Sequence, residues 1–109
     1  MNDNALVIVD RSGTIRHWNA CAETWFGYSA EAALGRTLDL IVPSDFQAEH
    51  WKGFHRAVER GVADSDGRAA SFPVQCSAGD VTVFRGALTL LRDVERHVIG
   101  AAVVFEPSA

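Results

Sequence analysis

The stretch from Pro43 to Gly61, PSDFQAEHWKGFHRAVERG, limits the fold more than any other part of the chain. Pro43 disfavours an earlier helical start, and Ser44 followed by Gln47 three residues later matches a capping box. Gly61 supplies the left-handed position at which many helices end. The stretch therefore predicts one long helix that begins near Ser44 and ends at Gly61.

This predicted helix has one apolar face and one charged face. At about 100° per residue, six side chains project toward the same side. They are Phe46, His50, Trp51, Phe54, Ala57 and Val58. The apolar face is expected to pack on a core, with Phe54 near its centre. Because His50 is the one imidazole within that face, it is the residue whose role needs an explanation.

Composition narrows the class of protein. The 109 residues are 48% hydrophobic and carry a formal net charge of −4, with both signs interspersed. This predicts one domain over residues 1–109 and argues against a nucleic-acid or membrane partner. The longest apolar run, Val98 to Phe105, is too short to span a bilayer. Cys21 and Cys76 lack metal-ligand spacing and are typical of reduced cysteines, so the expected location is the cytoplasm.

The other elements alternate between strands and short helices. Strands are predicted at Ala5–Val9, Thr14–Trp18, Ser71–Cys76, Val81–Leu91 and His97–Phe105, and short helices at Ala20–Phe26 and Ala30–Leu34. The first strand is a continuous apolar run and is expected to be buried on both faces. Tight turns between consecutive strands make them antiparallel. The order predicts an α+β fold, a five-stranded antiparallel sheet with several short helices and one longer helix on one face.

Three stretches, taken in order, resemble the PAS domain family. They are IVDRSGTIRHWNACAETWFGYSAEAALGRTL from Ile8 to Leu38, IVPSDFQAEHWKGFHRAVERG from Ile41 to Gly61, and the three-strand finish. The resemblance covers nearly the whole chain, with a core from about residue 5 to residue 105. Two motifs depart from the family pattern. Before the fourth strand, Ala78-Gly79-Asp80 stands where the family often has a Lys/Arg-Asp-Gly turn. At the end of the last strand, Glu106-Pro107-Ser108 stands where the family often has an Asp-x-Thr motif.

The resemblance implies a sensory or ligand-binding module of a signal-transduction protein, with a small molecule held between the long helix and the sheet. It does not imply an enzyme, and the chain has no phosphate loop or nucleophile turn. The flavin-binding subfamily carries an Asn-Cys-Arg-Phe core that this chain lacks, which argues against flavin. The ligand itself stays unknown. The residues expected at the site are His50, Phe46, Trp51, Phe54, Arg56 and Arg68.

Haem b is one alternative ligand. The haem-binding subfamily places its iron-ligating histidine seven residues after a proline on the long helix, as Pro43 and His50 are placed here. The resemblance would make His50 the metal ligand, Arg56 a partner of a propionate, and Arg68 a polar group on the opposite side. The plainer alternative is that His50 is a packed histidine whose ring is hydrogen-bonded to a backbone carbonyl.

A third hypothesis is a dimerisation module with a filled core and no ligand. The fourth and fifth predicted strands carry apolar residues on both of their faces. If helices cover only one face of the sheet, the apolar residues on the other face are exposed to solvent. PAS domains commonly pair through this outer sheet face. We therefore expect a homodimer, with an output domain or partner protein beyond this chain.

Overall fold

The computed structural model describes residues 4–61 and 69–107, and these residues form a five-stranded antiparallel sheet in the order β2-β1-β5-β4-β3. The strands are β1 (Ala5–Asp10), β2 (Ile15–Trp18), β3 (Ala69–Gln75), β4 (Val81–Arg92) and β5 (Val98–Phe105). The helices are α1 (Ala20–Phe26), α2 (Ala30–Ala33) and α3 (Gln47–Arg60). Single 3-10 turns lie at Leu38–Leu40 and Ser44–Phe46. The predicted α+β fold is confirmed.

Strand β3 is an edge strand, which suits Pro73 because proline has no N–H to donate to a second neighbour. It begins at Ala69, two residues earlier than predicted. The predicted loop between α3 and this strand falls mainly on residues 62–68, which lie outside the described residues. Arg68, which was predicted at the site, also lies outside the described residues.

A β-bulge decides which face of β5 is buried. Leu91 pairs with Gly100 but Arg92 pairs with Val98, so Ile99 is an extra residue on β5. The extra residue puts Val98 on the same buried face as Val103, whereas Val104 is exposed. The alternation of the sequence predicts that Val98 and Val104 share a face, and the bulge makes that prediction wrong.

The prediction that β1 is buried on both faces was also wrong. Ala5, Val7 and Val9 are buried, whereas Leu6 and Ile8 are only half-buried. The buried set faces the helices, and the other set lies on the side of the sheet that no described helix covers. The continuous apolar run of β1 therefore belongs to an interior strand that has one buried face and one face partly exposed to solvent.

The start of α3 differs from the predicted capping box. Ser44 begins a 3-10 turn and makes no side-chain cap, and the helix proper begins at Gln47. The Gln47 side-chain amide instead donates to the carbonyl of Val42 at 3.0 Å and to that of Asp39 at 3.5 Å. Gly61 ends the helix in the left-handed conformation, as predicted. The 3-10 turn thus replaces the capping box because its carbonyls receive the first helical N–H groups.

The core between the sheet and the helices is filled with aromatic rings. Phe26 of α1 lies 5.3 Å from Phe84 and 5.1 Å from Phe105, measured between ring centroids. Trp25 stacks on Phe84 at 5.8 Å, and Phe72 contacts Phe105 at 5.9 Å. These rings occupy the sheet face over β4 and β5. No helix within residues 4–61 and 69–107 is long and apolar enough to cross a membrane.

Candidate functional site

A pocket of about 300 Å³ opens between the N-terminal end of α3 and the edge strand β3. Its volume is at the lower end of the range for small-molecule sites. Five of its residues are apolar and two are polar. The lining residues are Val42, Pro43, Phe46, Phe72, Pro73, Glu49 and His50. This composition, an apolar wall with few polar groups, is typical of sites that bind small organic molecules.

His50 is one of the two polar residues that line this pocket. Its side chain is half-buried, and its Nδ1 atom is buried with no hydrogen-bond partner among the described residues. The carbonyl bond expected for a packed histidine is therefore not made at this nitrogen. Burial lowers the pKa of His50 below its usual range, the Asp39 carboxylate partly offsets this, and His55 lowers the pKa slightly more. A neutral imidazole has one nitrogen that donates and one that accepts.

Two other predicted site residues lie behind the pocket or away from it. Phe54 is 7% exposed and lies one helical turn beyond His50, with ring centroids 6.1 Å apart. It supports the imidazole and does not line the pocket. The Trp51 indole N–H donates to Asp39 Oδ1 at 2.6 Å. That bond directs Trp51 toward the Leu38–Leu40 turn, so Trp51 has a structural role outside the pocket.

The arrangement does not fit haem. Haem propionates are anions, and the described residues bring no cationic side chain to the pocket, whereas Glu49 lines it. Arg56 is exposed and follows His50 by six residues, which places the two side chains about 120° apart around the helix. Arg56 does not line the pocket, and its pairing with a propionate of a His50-bound haem stays a prediction. Within the described residues, no group of three or more His, Cys, Asp and Glu is arranged to hold a metal ion.

Sequence reasoning found Phe46 and His50 but missed the rest of the lining. Val42 and Pro43 immediately precede the helix, and their proximity to the predicted site was a usable signal. Phe72 and Pro73 come from β3 through tertiary packing, which helical periodicity cannot reveal. Glu49 precedes His50 in the chain, but it falls on the charged side of the helical pattern.

Comparisons with known proteins agree with this fold. The family model described as "PAS fold" matches residues 1–107. The chain belongs to the PAS domain family. It is 29% identical over 103 residues to an uncharacterised protein of Azorhizobium caulinodans. That match covers 94% of this chain but only 13% of the relative, so the chain spans a small part of the relative's length.

Solved structures show the same fold at low identity. A PAS domain of a Colwellia psychrerythraea protein superposes with a TM-score of 0.81 at 20% identity, covering 96% of this chain and 86% of that one. The PAS domain of the Cronobacter turicensis RpfR quorum-sensing receptor, in complex with BDSF, gives a TM-score of 0.75 at 15% identity. That match covers 100% of this chain and 97% of the receptor domain.

Proposed function

We propose that this chain is the sensory module of a cytoplasmic signal-transduction protein and binds a small molecule in the pocket between α3 and β3. The observation that carries the proposal is the pocket itself. Its apolar walls surround a neutral imidazole whose buried Nδ1 has no partner among the described residues. An unmet hydrogen bond of this kind costs about 1–3 kcal/mol, which a ligand can recover when the imidazole turns Nδ1 toward the pocket. The proposed activity is binding, with no catalytic step.

Two comparisons support this proposal. The RpfR receptor domain shares the fold and is described in complex with BDSF and with C12:0. The Azorhizobium caulinodans relative is far longer than this chain, which is what a module that passes its signal to an output domain requires. The output domain or partner protein lies beyond the residues of this chain.

Ligand binding is testable with two matched variants. Phe46 is 47% exposed and lines the pocket, whereas Leu34 is 45% exposed and does not. A library of small apolar molecules is screened by thermal shift, and each binder is titrated against wild type, Phe46→Ala and Leu34→Ala. We expect Phe46→Ala to weaken binding about fivefold, because it removes one apolar wall, and Leu34→Ala to leave binding unchanged. Binders that respond equally to both variants, or a screen without binders, would count against the proposal and favour a dimerisation module with a filled core.

A second role, homodimerisation, is favoured by the outer sheet face. This surface consists of Leu6, Val81, Val83, Ala87 and Val104. Val81, Val83 and Val104 are exposed, and Leu6 pairs with Val104 across β1 and β5. Val81 and Val83 form one apolar group and Leu6, Ala87 and Val104 form another, with Arg85 between them on β4. Exposed apolar groups on a sheet are typical of protein–protein contacts. We propose that two copies of the chain associate through this face.

A further inference from the structure

The pocket has an acidic rim. Glu49 is one of its lining residues and makes no ion pair with any described residue. Asp45 is exposed in the 3-10 turn that leads into α3. None of the described lining residues is a lysine or an arginine. The two carboxylates therefore give this end of the pocket a negative potential that nothing in its described wall balances.

The positive end of the α3 dipole does not reverse this potential. An anion binds at a helix start through N–H groups that have no other partner. Here the Phe46 N–H donates to the Pro43 carbonyl at 2.9 Å, and the Gln47 N–H donates to the Ser44 carbonyl. Glu49 in the first turn also offsets the dipole. The helix start therefore has little capacity left to hold an anionic ligand.

The imidazole adds a second requirement. His50 lies beside Glu49 in the chain, and both line the pocket. The unpartnered Nδ1 of a neutral imidazole accepts a hydrogen bond when its proton is on Nε2. Because Nδ1 is buried, a ligand that donates an O–H or N–H completes this bond when the ring turns about its Cβ–Cγ bond toward the pocket, and the same donor group, if cationic, is also attracted to Glu49.

We propose that the ligand of this pocket is a small, mainly apolar molecule that is neutral or cationic and donates a hydrogen bond to His50, and that Glu49 selects against organic anions. This inference rests on the proposed function and adds the ligand class to it. It separates this pocket from one built for carboxylates, which would need a cationic or N–H donor where Glu49 stands.

Three probes with the same ring and nearly the same length test the charge preference. They are phenethyl alcohol, which is neutral, phenethylamine, which is cationic, and phenylacetate, which is anionic. Each is titrated into the full chain and followed by amide NMR at Phe46 and Phe72. We expect the alcohol and the amine to bind at least about fivefold more tightly than the acid. In Glu49→Gln this preference disappears, whereas in Glu59→Gln, an equal charge change at the far end of α3, it is retained.

A fourth probe tests the hydrogen bond. Ethylbenzene has the same ring and two-carbon chain but no donor. We expect His50→Phe to weaken phenethyl alcohol about fivefold and to leave ethylbenzene unchanged, since only the alcohol loses a bond. If phenylacetate binds as well as the alcohol, or if Glu49→Gln and Glu59→Gln behave alike, the ligand class is wrong while the pocket stands. If no probe shifts either amide, both the ligand class and the proposed pocket fail.

Discussion

Trp51 joins α3 to the two segments that precede it. Its indole N–H is bonded to Asp39, and its six-membered ring lies over Gly13 in the turn between β1 and β2. The ring also contacts Phe54, with centroids 5.7 Å apart. One side chain therefore fixes the N-terminal half of α3 against the sheet. The position of the pocket depends on this contact, because Glu49 and His50 lie on the same helical turn as Trp51.

Gly13→Ala should therefore be more destabilising than its backbone angle alone explains. Gly13 has a φ of +82°, and an added Cβ would lie 2.3 Å from Trp51 Cη2 and Cζ3. Gly79 has a φ of +95° with no heavy atom within 4 Å of an added Cβ, so Gly79→Ala meets only the backbone penalty of about 1–2 kcal/mol. We expect urea unfolding to show a clearly larger loss for Gly13→Ala. Equal losses would show that Trp51 moves aside without cost.

His50 should make the stability of the domain fall in mild acid. The unfolded chain takes up a proton at this side chain near the ordinary histidine pKa of about 6.5, whereas burial lowers the folded-state pKa. Below about pH 6.5 the unfolded state binds more protons, so the free energy of unfolding decreases until the folded imidazole is protonated as well. Above that pH both states are neutral at His50 and the effect vanishes.

Urea unfolding at about pH 7.5 and about pH 5.5 measures this effect. His50→Gln should lose less stability than wild type between the two pH values. His55→Gln is the control, because His55 is exposed on the same helix and should leave the wild-type loss nearly unchanged. An equal loss in wild type and His50→Gln would contradict the prediction.

At the scale of elements, the entry to α3 depends on Gln47 and not on Ser44. The Gln47 amide is bonded to the Val42 and Asp39 carbonyls, whereas Ser44 makes no cap. Gln47→Ala should reduce the free energy of unfolding by about 0.5–1.5 kcal/mol, since it leaves the half-buried Val42 carbonyl without this donor. Ser44→Ala should change it by less than half as much. Thermal or urea unfolding measures both losses. A larger loss for Ser44→Ala than for Gln47→Ala would contradict this prediction and support the capping box.

Most elements could be predicted because their signals are local. The Asn19 side chain accepts from the Ala22 N–H at 3.0 Å and Ser29 accepts from that of Ala32 at 3.1 Å, as their positions before the helices indicate. The bulge at Ile99 could not be predicted, since it depends on how β5 pairs with β4. One inserted residue changes which side chains beyond it point to the buried face. An alternation counted along β5 alone therefore cannot predict that Val98 is buried.

The candidate site was predictable only on its helical side. Helical periodicity placed Phe46 and His50 on one face, and both line the pocket. Arg56, which the family resemblance suggested, does not line the pocket, and its role toward a propionate stays a prediction. Phe72 and Pro73 enter the pocket through the packing of β3 beside α3, which no pattern within either segment encodes.

At the scale of the whole molecule, the two faces of the sheet have different roles. One face packs against the helices and holds Phe84, Leu90 and Phe105 in the aromatic core. The outer sheet face carries valines that no described element covers, with the exposed Arg85–Glu106 ion pair beside them at 3.7 Å. Because Arg85 lies between Val83 and Ala87 on this face, a second copy that covers the face must pair with this charge or leave it in contact with water.

Val83→Glu tests the proposed association of two copies. Val83 is 59% exposed on the outer sheet face, and Val94 is 100% exposed in the turn between β4 and β5. Wild type should be dimeric at high micromolar concentration by light scattering and should dissociate on dilution. Val83→Glu should be monomeric, because pairing the two faces would bury an unpaired carboxylate at the interface. Val94→Glu adds the same charge away from that face and should behave as wild type. A wild type that stays monomeric throughout, or equal effects of the two substitutions, would rule out this face as the dimer interface.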